Sequence, residues 1–126
     1  MPSGMTRSSG VWLIVASALF WLSWLLMPGV GLTDARQILE RVGAHRDEVF
    51  ASAVCQLLSA AAYAPGLAGV LAADLARSSR LVRVGAIVLL IGAMGSAADA
   101  IFHLVAYEMT APALTGDALE IIMRQL

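Results

Sequence analysis

Three stretches of this 126-residue chain are almost free of charge: Val11 to Leu32, Val49 to Ala73, and Val84 to Ala98 continuing past Asp99 to Tyr107. A helix needs ~20 apolar residues to cross the hydrocarbon core of a bilayer, and each stretch reaches that length. A soluble bundle would show a polar face recurring every ~3.6 residues. Val11 to Leu32 has none. The pattern predicts an all-α integral membrane protein with three transmembrane helices, at about 11–31, 48–74 and 81–108. Val11 to Met27 also exceeds the apolar region of a signal peptide, and Trp12, Trp21 and Trp24 suit an anchored helix.

The intervening segments carry the polar residues. Residues 1–10 are polar and rich in Ser and Gly, so they are expected to fray. Met27-Pro28-Gly29 should end the first span, because proline lacks an amide proton and glycine permits a turn. In Thr33 to Glu48, the apolar residues Ile38, Leu39 and Val42 oppose Arg36, Glu40 and Arg41 at helical spacing. This predicts an amphipathic outer connecting helix on the membrane surface, capped by Thr33 and bent at Gly43. Pro65-Gly66 should kink the second span, and Pro112 should stop the third.

A short C-terminal amphipathic helix is expected over 110–126. Gly116-Asp117-Ala118, Ile121-Ile122 and Arg124 repeat the order of Thr33-Asp34-Ala35, Ile38-Leu39 and Arg41. The earlier copy leads into a membrane span. The later one therefore suggests a chain truncated before a further span.

Charged residues make up 13% of the chain, about half the usual soluble share of ~25%. A net charge of −1 gives nucleic-acid binding no electrostatic support. All eight basic residues are Arg, with no Lys and no Asn, which points to a GC-rich, bacterial genome. Cytoplasmic loops are enriched in Arg. The Arg77/Arg80/Arg83 turn is therefore expected inside, which places the N-terminus in the cytoplasm and the protein in the inner (plasma) membrane as a multi-pass chain.

Two polar stripes hold the candidate chemistry. Ser96, Asp99, His103 and Tyr107 are spaced three, four and four, on one helical face. Ser52, Gln56, Ser59 and Tyr63, spaced four, three and four, also share one face on the preceding span. Gly85 and Gly92 extend the first stripe, and small residues favour close helix approach. Asp99 and Gln56 lie at matching depth, each five residues (~7 Å) outward of its span centre. The stripes are thus expected to face each other, with Gln56 near Asp99 and Ser52 nearer His103. The first span would close the third side through Ser17, Trp21 and Trp24, the Trp24 indole donating to Asp99. A carboxylate within a span marks a functional candidate. The ligand or proton candidates are Asp99, His103, Gln56, Ser52 and Tyr107.

Asp99 and His103 supply two metal ligands where a site needs three or four. The lone Cys55 and the distant His45 do not complete a set. No phosphate loop, nucleophile elbow or zinc motif is present, so no cofactor, no metal and no catalytic residues are expected. The order of elements resembles that of uncharacterised bacterial multi-span membrane proteins: a first span ending in Pro28, an acidic outer segment over Thr33 to Glu48, a second span, an Arg-rich turn and a third span. That resemblance implies further spans and no activity.

The first functional expectation is a non-enzymatic structural, accessory or assembling membrane module. The alternative is a transporter or sensor that handles protons or a small ligand through Asp99 and His103. An intramembrane metal enzyme is the least supported. The expected partners are the lipid bilayer and a homo-oligomer or additional membrane helices. The first two expectations diverge on one point, namely whether Asp99 and His103 face a water-accessible cavity or a dry helix contact.

Overall fold

The computed structural model describes residues 3–74 and 79–111, giving only the backbone at 3–6 and at Asp74. The predicted 110–126 helix lies outside the described residues, apart from Thr110 and Ala111. Four helices follow in order: α1 (Ser3–Leu26), α2 (Ala35–Ala44), α3 (Arg46–Asp74) and α4 (Arg80–Met109). Among the described residues, α1, α3 and α4 are long and apolar enough to cross a membrane.

Several boundaries differ from expectation. α1 begins at Ser3 instead of fraying up to residue 10. No proline interrupts residues 3–10, and Ser9 is buried, so this turn is held by packing. Asp34 caps α2 in place of Thr33, its carboxylate accepting from the Gln37 amide at 3.0 Å. An aspartate cap also suits the positive helix N-terminus. The break between α2 and α3 falls at His45, whose amide still bonds to the carbonyls of Arg41 and Val42, and not at Gly43. Backbone φ values of +78° at Gly29 and +89° at Gly31 shape the turn after α1, and glycine adopts that region without a steric penalty.

α3 is the central element. It packs antiparallel to both α1 and α4, while α1 and α4 make no extended contact with each other. The α1 seam is built from small residues and hydroxyls. Ser59 Oγ donates to the Ala16 carbonyl and Ser52 Oγ to the Ser23 carbonyl, each at 2.7 Å. Ser17 Oγ lies 3.4 Å from the Tyr63 hydroxyl. Gly66 completes the seam: a Cβ there would lie 2.7 Å from Leu13 Cδ2 and 3.3 Å from the Leu13 amide nitrogen. α3 remains helical through Pro65, and its next residue supplies the closest approach to α1.

α4 packs on α3 through buried Ala86, Ala93 and Ala100, spaced seven apart. The expectation that Gly85 and Gly92 mediate this contact is corrected: a Cβ at either would meet nothing within 4 Å. They lie on the open side of α4. At one end of the bundle α2 folds over α3 and α4, burying Val42 with Val49 and Ala106. Arg46 stacks 3.8 Å from the Tyr107 ring centroid and donates to the Tyr107 carbonyl and to Thr110 Oγ1. The largest apolar side chains point outward, with Leu25 81% and Leu81 84% exposed.

Candidate functional site

Because α1 and α4 make no extended contact among the described residues, a cleft opens between them over α3. A cavity of about 280 Å³ occupies its α2 end. Gln56 of α3, Asp99, Phe102 and His103 of α4, Ser23 and Trp24 of α1, and Arg41 of α2 all line it, along with the Pro28–Leu32 turn. Asp99 lies ten residues before Met109, the end of α4, or about 15 Å along the axis.

Asp99 sits at the border of the buried face of α4. Ala100, its neighbour, is fully buried, whereas the Asp99 side chain is 51% exposed. Gln56 Nε2 donates to Asp99 Oδ2 at 3.0 Å. His103, one turn on, is 17% exposed, with Nδ1 lying 2.9 Å from the Asp99 carbonyl oxygen and 3.5 Å from Oδ2. A carbonyl can only accept, so Nδ1 carries the proton, and Nε2 of a neutral ring remains an acceptor.

Two polar atoms are left over. Gln56 is 95% buried and its Oε1 has no hydrogen-bond partner among the described residues; Ser96 Oγ, one turn before Asp99, has none either. A buried polar atom without a partner costs about 1–3 kcal/mol.

Of the five candidate residues, the structure brings Asp99, His103 and Gln56 to one cavity. It separates Ser52 and Tyr107 from them. Ser52 turns to α1 because the serines and glycine of the α3 stripe form the close seam with that helix; Gln56, at the edge of the stripe, alone reaches α4. Tyr107 lies against Phe50, with ring centroids 5.5 Å apart, and stacks under Arg46. The expected Trp24–Asp99 hydrogen bond is also absent among the described residues: Trp24 lines the opposite wall, and Trp21 is exposed. α1 therefore walls the cleft without closing it.

Arg41 and Phe102 were not singled out by their sequence pattern. Arg41 reads as part of the polar side of a surface helix, and only the fold of α2 over the bundle brings it to the cavity. Its side-chain stem packs near Gly29, where an added Cβ would lie 3.1 Å from Arg41 Cγ. No group of three potential metal ligands forms among the described residues, which leaves the Asp99/His103 pair short of a metal site.

No family model, curated protein or solved structure matches the chain.

Proposed function

We propose that the chain is a multi-pass protein of the bacterial inner membrane, with its N-terminus in the cytoplasm, and that it handles a proton or a small polar ligand through the Asp99/His103/Gln56 cavity. Membrane integration rests on three long apolar helices and on an inverted distribution of side-chain size. Ser, Ala and Gly fill the helix contacts, while Leu, Ile, Val and Trp point outward. In water that outward face would be a large aggregation-prone patch. In lipid it is the expected surface, since close packing of small residues holds membrane helices together. On this reading α2 lies at the outer face, and the α3–α4 connection, followed by Arg80 and Arg83 at the start of α4, is inside.

One observation carries the functional reading: the Asp99 carboxylate is half exposed to a cavity instead of being sealed between helices. A carboxylate at that depth needs a compensating group. A water-filled cleft with Gln56 as donor and His103 alongside provides one while keeping the acid available. Three helices do not enclose a transport path, so the working form is a homo-oligomer or includes further membrane helices.

The structural, accessory or assembling role is the second reading. It is favoured by the Gln56–Asp99 hydrogen bond, which already ties α3 to α4. Replacing the chromosomal copy with Asp99→Asn separates the two. If Asp99 handles a proton or ligand, the variant reproduces the phenotype of a gene deletion at unchanged protein level. A silent Asp99→Asn beside a deletion with a phenotype would reject the proposal in favour of the structural role.

A further inference from the structure

The cavity walls differ in hydrogen-bonding character, and the difference specifies a ligand. Its α3–α4 side presents acceptors. Asp99 Oδ2 already receives Gln56, which leaves the other carboxylate oxygen of this half-exposed side chain available. Gln56 Oε1 is buried out of reach of the cavity, so Gln56 acts here through Nε2 by orienting the Asp99 carboxylate. His103 Nε2 adds a second acceptor in the neutral ring, since Nδ1 faces the Asp99 carbonyl. Trp24 and Phe102 also line the cavity. Two acceptors, one of them a carboxylate, suit an ammonium group, which carries three donors and no acceptor.

The α2 end presents the opposite chemistry. Arg41 is exposed on the cavity lining and has no ion pair or hydrogen bond among the described residues. Two nearby acids pair elsewhere, Glu40 with Arg36 and Glu48 with His45, each at 3.1 Å. A free guanidinium offers paired donors to a carboxylate or phosphate.

We infer that the cavity binds a small zwitterion, its ammonium end held by Asp99, which Gln56 orients, and by His103, and its anionic end by Arg41. This assignment rests on the reading of the cavity as a ligand site. A volume of about 280 Å³ holds roughly nine waters at ~30 Å³ each, room for a molecule of amino-acid size. The same chemistry occurs in a free zwitterion and in the headgroup of phosphatidylethanolamine, which would enter sideways through the α1–α4 cleft.

The test is calorimetric titration of the purified full chain in nanodiscs of phosphatidylglycerol. The probes are β-alanine, γ-aminobutyrate and phosphoethanolamine, with propylamine and propionate as single-charge controls. A second arm measures retention of phosphatidylethanolamine by native mass spectrometry. At least one zwitterion, free or lipid, should bind about tenfold more tightly than either control. Arg41→Gln, a change at an exposed position, should remove that advantage, and Asp99→Asn should abolish binding with helicity unchanged. Binding in the free arm or in the lipid arm assigns the source. Equal binding of propylamine and the zwitterions, or no effect of Arg41→Gln, would overturn the two-ended assignment. If no probe binds while Asp99→Asn still abolishes function in cells, the zwitterion assignment falls and the broader proposal stands. A silent Asp99→Asn in cells would remove both.

Discussion

The two sides of α3 solve the same problem differently. On its α1 side, Ser52, Ser59, Tyr63 and Gly66 form a closed seam, in which hydroxyls bond to backbone carbonyls of the neighbouring helix and a missing side chain lets Leu13 approach. On its α4 side, alanines make the contact, and the polar groups are displaced to its edge, where Gln56 and Asp99 meet at an open cavity. Polar residues of similar type and spacing thus serve as interhelical fastening on one side and as an accessible site on the other. The deciding factor is the third wall. The α1–α3 seam has nothing to enclose, whereas the α3–α4 edge faces a cleft that α1 borders without filling.

The seam can be broken most directly at Gly66. Gly66→Leu places a side chain where even a Cβ would lie 2.7 Å from Leu13 Cδ2 and 3.3 Å from its backbone nitrogen. Overpacking of this kind costs about 1–3 kcal/mol or more. Denaturation of the purified protein should therefore show a large loss of stability, with α1 detached from α3. The hydroxyls contribute less. Ser52→Ala with Ser59→Ala should cost about 1 kcal/mol together, from an average of ~0.6 kcal/mol per interhelical polar contact in membranes. Asp99→Asn should have the smallest effect on stability, below ~0.6 kcal/mol, because an amide can still accept from Gln56. A large destabilisation by Asp99→Asn, or an unaffected Gly66→Leu, would erase the distinction between the two sides.

Much of this arrangement is legible in the residues. Apolar runs of more than 20 residues, the third interrupted by Asp99, mark the three long helices, and matched depth brings Gln56 to Asp99. The division of the α3 stripe is not legible, since helical spacing groups Ser52, Gln56, Ser59 and Tyr63 on one face without saying which neighbour that face meets. Gly85 and Gly92 mislead for a related reason: glycine permits close approach without requiring it, and Ala86, Ala93 and Ala100 are small enough to form the contact. Arg41 is invisible as a lining residue until α2 is seen to fold over α3 and α4. Its placement depends on packing of Val42 against Val49 and Ala106, residues distant in sequence.

The most direct test of the account compares the two sides of α3 for access to water. In a Cys55→Ala background, Phe102→Cys places a thiol on the cavity and Ser59→Cys places one in the buried seam. Cells are then treated with a membrane-impermeant maleimide added from outside. The account predicts rapid labelling at position 102, protected by no other wall than α1, and none at position 59. Absence of labelling at 102 in folded protein, or equal labelling at both positions, would contradict it.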